Sequence, residues 1–118
     1  KINYYNLEDR VIFHNTIDDE KILIDHLKKS RVYLCLSKYE GYGMANIESA
    51  TIGLPLVVSD LPVFRENLRG LNRIYTDSKS AYAVADAIIK TSFKNNHINV
   101  KTRKWKDVGF SFKRVLNG

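Results

Sequence analysis

The chain has 118 residues, of which 44% are hydrophobic and 27% charged, an ordinary composition for one folded domain or part of one. These 118 residues are too few for two domains of ordinary size, their formal net charge is +6, and no apolar run is long enough to cross a bilayer. Cys35 is the only cysteine, which excludes an internal disulfide, and the three histidines lack ligand spacing, so no metal site is expected.

Short apolar runs predict the strands. "RVIF" at 10–13 is a short strand candidate. The runs "RVYLCLS" at 31–37 and "LPLVVSD" at 54–60 are nearly continuous, as in strands that are covered on both faces. "NRIY" at 72–75 predicts a weaker fourth strand.

Helical patterns separate these runs. In residues 16–30, Thr16 is followed three positions later by Asp19, acidic residues fill the first turn and lysines end the segment. Those features are typical of a capped amphipathic helix whose charges match its dipole. The other predicted helices are 44–53, a short segment opened by Pro62, 77–93, and a terminal basic helix at 100–116.

The alternation of strands and helices predicts βαβ units, and hence an α/β fold with a doubly wound parallel sheet. Such sheets bind ligands beyond the carboxyl ends of their strands. The turn "EGYG" at 40–43 directly follows a predicted strand, so we expect it at such an end.

The residues of this turn are suited to binding an anion. Gly41 and Gly43 let the backbone approach a ligand closely, and the helix expected to begin near Met44 would present free N–H groups to the same space. A phosphate suits such a site. Because glycine turns are common, a simple tight turn stays open as the alternative.

Two carboxylates flank the turn. Glu40 stands at the strand end, and Glu48 is one turn into a helix that otherwise carries no charge. A buried, unpaired carboxylate is costly, so Glu48 should reach solvent or hold something. Both carboxylates could accept hydrogen bonds from hydroxyl groups on either side of a phosphate, which is the outline of a nucleotide sugar.

The stretch "SKYEGYGMANIESATIGLPLVVSD" closely resembles the signature of the retaining glycosyltransferases of the group 1 type, which have the GT-B fold of two facing Rossmann-like domains. Their carboxyl-terminal domain carries two glutamates eight positions apart around a Gly-aromatic-Gly turn, followed by Gly-x-Pro and Ser-Asp. The matching residues here are Glu40, Gly41, Tyr42, Gly43, Glu48, Gly53, Pro55, Ser59 and Asp60. The likeness extends upstream through "RVIF" and downstream to Trp105.

The resemblance implies a donor-binding role for residues of this stretch. Glu48 would accept hydrogen bonds from the ribose of a UDP-sugar or GDP-sugar, and Glu40 would act in catalysis by contacting the donor sugar near the reacting carbon. His14, on the loop after "RVIF", would lie near the base, where the family usually has glycine close to Asn15. The remaining implied donor-binding residues are Ser37, Gly41, Tyr42, Gly43, Met44 and Ala45. A surface role for His14 and a packing role for Tyr42 stay open.

The resemblance also implies the reaction and the domain. The family transfers a sugar with retention of configuration, generally without a metal or other cofactor, by stabilising the departing diphosphate. The chain begins at Lys1 without a leader, so we expect residues 1–118 to be part of a longer protein. They would form a truncated Rossmann-like domain with helices on both faces, without its first strands and the family's basic pair. The amino-terminal acceptor domain would also lie outside these residues.

We expect a cytoplasmic protein that builds a surface polysaccharide or glycoconjugate, in peripheral contact with the inner face of the membrane. Residues 90–118 contain eight basic side chains and one acidic one. This tail leaves a second hypothesis open, a binder of nucleic acid or anionic surfaces, although a solvated basic helix explains it more simply and no nucleic-acid partner is expected. A non-catalytic α/β interaction domain is the third.

Overall fold

The computed structural model describes residues 2–93. Three parallel strands form one sheet in the order β1-β2-β3. The strands are β1 (Tyr33–Cys35), β2 (Leu56–Ser59) and β3 (Arg73–Thr76). The helices are two single 3-10 turns at Asn3–Tyr5 and Glu8–Arg10, followed by α1 (Glu20–Lys29), α2 (Met44–Thr51), α3 (Pro62–Asn67) and α4 (Ala81–Phe93). The predicted Rossmann-like α/β arrangement with a parallel sheet is confirmed.

β2 is the central strand, and all four of its residues are buried. Its backbone pairs with β1 on one side and β3 on the other, so that Leu34, Val57 and Ile74 share one register position. A strand enclosed in this way needs apolar side chains on both faces, which is why its sequence is a continuous apolar run rather than an alternating one.

Helices cover both faces of the sheet. On one face, Leu56 and Val58 pack into a core with Ala50 of α2 and Phe64 of α3. Alternation along β2 directs Val57 and Ser59 to the opposite face, where α4 packs on β2 and β3. The carboxyl ends of the three strands therefore lie together at one edge of a two-sided layer.

The strand predicted at "RVIF" is wrong, because residues 11–19 have no regular secondary structure. Phe13 and Ile12 are each 79% exposed. A strand needs a neighbour that accepts and donates its backbone hydrogen bonds, and the sheet of the described residues ends at β1 with no strand beyond it. A short apolar run without such a neighbour does not form a strand.

The first predicted helix starts later than its sequence suggested. Asp19, rather than Thr16, caps it, since the Asp19 carboxylate accepts a 2.8 Å hydrogen bond from the N–H of Lys21. No residue of α1 is buried. α1 therefore has the cap and the dipole-matched charges of a helix without a covered apolar face.

The remaining predicted elements of residues 2–93 form close to their expected places. Pro62 stands at the start of α3, as its fixed φ favours, and α4 spans most of the segment predicted at 77–93. Within the described residues, no helix has both the length and the apolar character to cross a membrane. The predicted terminal helix at 100–116, with Trp105, lies outside them.

Candidate donor-binding site

The loop between β1 and α2 crosses the carboxyl edge of the sheet. It carries Ser37, Glu40 and the turn formed by Gly41, Tyr42 and Gly43, and α2 begins at Met44. The loop therefore has the location at which ligands bind in parallel sheets of this type.

Gly43 is required by the fold at this turn. Its φ of 79° lies in the left-handed region, and a Cβ there would lie 2.7 Å from Cε1 of Phe64 and 2.9 Å from Nδ2 of Asn46. Phe64 is fully buried and has no room to move away. By contrast, a Cβ on Gly41 would meet no atom within 4 Å, so Gly41 leaves the outer side of the turn open.

Asn67 stabilises the turn through a hydrogen bond. Its Nδ2 donates a 3.0 Å hydrogen bond to the carbonyl of Tyr42. Because Asn67 is the last residue of α3, the turn is tied to the helix whose Phe64 lies under Gly43. The start of α2 is thus fixed by packing and by a hydrogen bond.

The first turn of α2 has backbone donors that no other described residue satisfies. The Gly43 carbonyl accepts from the N–H groups of Asn46 and Ile47 at 3.1 and 3.2 Å. The N–H groups of Met44 and Ala45 donate to no residue within 2–93, and both residues are exposed. Free N–H groups and the positive end of a helix dipole suit an anion.

Both carboxylates of the motif are exposed. α2 buries Asn46, Ser49 and Ala50, which leaves Glu48 on its open face. Glu48 therefore reaches solvent and avoids the penalty of a buried charge.

The negative charges of Glu40 and Glu48 both affect the pKa of the Tyr33 phenol. Tyr33 of β1 packs against the core on the α2 side of the sheet. Burial raises the pKa of Tyr33, with further contributions from the charges of Cys35, Glu40 and Glu48, in that order. The two carboxylates, eight positions apart in sequence, therefore share one neighbourhood beside β1.

A cleft of about 560 Å³ opens at the carboxyl ends of all three strands. Ser37 belongs to its lining, and Ser37 Oγ lies 3.4 Å from Sγ of Cys35. Glu40, Glu48 and the turn at 41–45 do not line it. The first part of the loop, residues 37–39, therefore lines the cleft, and the part that leads into α2 does not.

The loop after β2 is fixed by an ion pair. The Arg65 guanidinium donates from Nε and Nη2 to the two carboxylate oxygens of Asp60, each at 2.6 Å. This bond lowers the pKa of Asp60. Arg65 also lies 5.0 Å from the ring centre of Tyr75, whose hydroxyl donates to the carbonyl of Phe64 at 3.1 Å. The geometry holds the Asp60 side chain at the cleft.

His14 lies in the segment before α1, which has no regular secondary structure. Its exposed ring is 4.5 Å from the ring of His26 on α1. No group of three or more His, Cys, Asp or Glu residues within 2–93 is placed to hold a metal ion. The structure thus places Glu40 and the turn directly before α2, Glu48 on the open face of α2, Ser37 in the cleft and His14 beside α1.

Sequence reasoning missed the residues that support the site. Asn67 and Phe64 follow no motif, and only the tertiary contact with the turn reveals their roles. Ser59 and Thr76, at the ends of β2 and β3, line the cleft. Ser59 is near the end of the predicted run at 54–60 and Thr76 directly follows the run at 72–75, and this position was the available signal, since strand ends are where parallel sheets bind ligands.

Comparison with known proteins identifies relatives. The sequence profile of the family described as "Glycosyl transferases group 1" matches residues 1–104. An O-antigen biosynthesis glycosyltransferase of Escherichia coli, WclY, is 27% identical over 95 residues, which are 80% of this chain and 26% of WclY. A serotype-specific mannosyltransferase of Escherichia coli, WbdA, is 35% identical over 60 residues, which are 51% of this chain and 7% of WbdA. The chain thus spans about a quarter of WclY. No solved structure matches it.

Proposed function

The chain belongs to the group 1 glycosyl transferases, and we propose that the α2 turn and its two carboxylates bind the nucleotide-sugar donor of a retaining glycosyltransferase. A glycosyltransferase role follows from the family and is the premise of the proposal. Because the family generally uses nucleotide-sugar donors, a donor of this class is proposed here. The observation that carries the proposal is the first turn of α2, where Met44 and Ala45, which lie between Glu40 and Glu48 in the sequence, have N–H groups without a partner among the described residues.

Each residue has a role matched to its chemistry. The N–H groups of Met44 and Ala45 bind the diphosphate, because a helix start stabilises negative charge. Glu48 accepts hydrogen bonds from the ribose hydroxyls, and Glu40 contacts the donor sugar near the reacting carbon. The other proposed donor contacts come from Ser37, Gly41, Tyr42, Gly43 and, near the base, His14.

The reaction breaks the bond between the sugar carbon and the diphosphate oxygen. The diphosphate leaves with the electron pair, the acceptor hydroxyl oxygen bonds to that carbon on the same face, and the hydroxyl proton goes to the departing phosphate. Stabilising the charge on the diphosphate lowers the barrier, and the start of α2 supplies part of that stabilisation. We propose that no metal takes part.

Transfer by the whole protein requires more than this segment. Since the chain spans 26% of WclY, we propose that an acceptor domain and a basic pair lie in further sequence, and that the chain alone is inactive. The names of the O-antigen relatives support a surface polysaccharide or glycoconjugate as product. We propose a cytoplasmic protein in peripheral contact with the inner face of the membrane.

Calorimetric titration of the 118-residue chain with UDP, GDP, ADP and UDP-glucose tests donor binding. We expect one nucleotide to bind saturably and Glu48→Ala to weaken it about tenfold or more, the loss of hydrogen bonds to a charged acceptor. Glu66→Ala is the matched control, because Glu66 is an exposed glutamate on α3. We expect this variant to bind like the wild-type chain.

The same titration separates the competing functions. Affinity for any polyanion that depends on salt and is unchanged by Glu48→Ala would favour the binder of anionic surfaces. A folded chain that binds none of the four ligands would favour the non-catalytic interaction domain. Either result would contradict donor binding by the α2 turn.

A further inference from the structure

The cleft at the carboxyl edge of the sheet has the size of a ligand site. Its volume of about 560 Å³ lies within the usual range for small-molecule sites. It is bounded by the loops that follow β1, β2 and β3, and residues 41–45 of the α2 turn do not line it. A ligand in the cleft would thus occupy a different space from the diphosphate at α2.

Buried hydroxyl groups lie at the inner end of the cleft. Ser59 and Thr76 are paired in the β2–β3 register, so their side chains are neighbours on the same face of the sheet. Ser59 is 2% exposed, and its Oγ has no hydrogen-bond partner among the described residues. A buried hydroxyl without a partner is destabilising. A hydroxyl group on a bound ligand, or a water that it carries, would supply the missing partner.

The charges of the lining favour an uncharged ligand. Two lysines, Lys38 and Lys79, are balanced by two aspartates, Asp60 and Asp77. Both Asp60 oxygens accept from Arg65, and Asp77 accepts from the N–H of Lys79 at 2.9 Å. A phosphate would lie close to these carboxylates and be repelled by them, whereas a neutral ligand rich in hydroxyl groups would find both donors and acceptors.

An aromatic ring stands at the mouth of the cleft. Tyr39 belongs to the lining and is 92% exposed, so no protein side chain covers its ring. The negative face of an aromatic ring attracts positively polarised hydrogens, which the C–H groups of a sugar ring present. Tyr39 directly precedes Glu40 in the chain. A sugar on this ring would therefore lie next to the proposed donor sugar.

From these features we infer that the cleft binds a neutral sugar unit of the acceptor. The inference rests on the proposed function, because the donor site beside Glu40 is what makes a neighbouring sugar an acceptor. It adds a contact on this domain to the amino-terminal acceptor domain that the family resemblance implies. Tyr39 stacks on the sugar, and the hydroxyls of Thr76 and Ser59 exchange hydrogen bonds with it.

Amide NMR titrations of the 118-residue chain test the inference. The probes are the methyl α-glycosides of mannose, glucose and galactose, with inorganic phosphate as the anionic comparison. We expect at least one glycoside to shift the amide signals of Ser59, Thr76 and Ser78 saturably, and phosphate to leave them unchanged. Tyr39→Ala should weaken binding roughly three- to tenfold, the contribution of one aromatic contact.

Two further variants control for folding and for surface aromatics. Tyr82→Ala removes a tyrosine of similar exposure, 83%, that does not line the cleft, and we expect it to bind glycosides like the wild type. Thr76→Val removes a hydroxyl and keeps the shape, and we expect weaker binding. Since Tyr39 is exposed, its variant retains the fold even if Thr76→Val does not.

Three results would overturn the inference: no glycoside shifts the cleft signals, phosphate shifts them instead, or Tyr39→Ala binds a glycoside as well as the wild type does. Donor binding is read in the same samples from the signals of Met44–Thr51 after addition of UDP or GDP. If the donor proposal fails, UDP and GDP leave those signals unshifted, while the cleft signals still report whether a glycoside binds. The two failures are therefore distinguishable.

Discussion

Residues 33–93 and residues 2–30 carry the same kinds of sequence signal but fold differently. Every buried hydrophobic side chain within residues 2–93 lies between residues 50 and 87. In residues 2–30 large apolar side chains are exposed instead, namely Tyr4, Tyr5, Val11, Ile12, Phe13, Ile22 and Leu23. The difference is therefore whether other elements cover the apolar side chains, and we call residues 33–93 the packed half and residues 2–30 the open half.

The comparison shows what an apolar pattern needs before it becomes a core. β2 has a strand on each side and helices above and below, so its run of Leu and Val is enclosed. α1 has a cap and matched charges but buries none of its residues. Most helical stability in proteins comes from packing of the apolar face. His14 is the one proposed donor residue in the open half of the chain, and the others rest on the packed half.

Two phenylalanines give the largest expected contrast between the halves. Phe64 is fully buried in the core, whereas Phe13 is 79% exposed. We expect Phe64→Ala to lower the free energy of unfolding by about 3–5 kcal/mol, through lost burial and a residual cavity. Phe13→Ala should change it by less than about 0.5 kcal/mol. Chemical denaturation measures both, and a comparable loss in the two variants would contradict the division.

Two glycines of the turn at 41–43 give the next contrast. We expect Gly43→Ala to lower the free energy of unfolding by roughly 2–4 kcal/mol, because of its left-handed φ and the clash with Phe64. Gly41→Ala meets open space and should be nearly neutral for stability. Thermal unfolding of both variants checks this, and equal melting temperatures would show that Gly43 is not constrained by the packed half.

Asn67 gives a smaller effect on the same turn. We expect Asn67→Ala to lower the free energy of unfolding by about 0.5–1.5 kcal/mol, since it removes the hydrogen bond to the Tyr42 carbonyl. Hydrogen exchange of the Asn46 and Ile47 amides, which donate to the Gly43 carbonyl, should become faster because the turn loses its support. Unchanged exchange there would mean that α3 does not hold the turn.

The smallest effect is on the titration of Tyr33, whose pKa lies above its ordinary value of 10.0. The unfolded chain loses this proton first as pH rises past that value, so the stability that Tyr33 contributes is present below it and falls above it. NMR of tyrosine labelled with carbon-13 follows the titration. Glu48→Gln should lower the Tyr33 pKa, and Glu66→Gln should leave it unchanged. If Glu48→Gln leaves the Tyr33 pKa unchanged, the Glu48 carboxylate does not lie close to Tyr33 of β1.

The sequence predicted the packed half well, because its patterns are local and each of its strands has a partner strand within the described residues. The runs at β2 and β3 and the glycine turn before α2 each combine periodicity with a specific boundary residue. "RVIF" failed because a strand depends on a neighbour that its own four residues cannot specify. The contacts of Asn67 and Phe64 with the turn and the buried, unpartnered Ser59 hydroxyl arise from three-dimensional proximity, which spacing along the chain does not encode.

The most direct test of the account is an amide NMR map of UDP and GDP binding on the wild-type chain and on Glu48→Ala. The account predicts that one nucleotide shifts the signals from Gly41 to Glu48 saturably, and that the variant loses these shifts while keeping the wild-type dispersion. A dispersed spectrum in which neither nucleotide moves these signals, or in which Glu48→Ala binds as well as the wild type, would contradict donor binding by the start of α2.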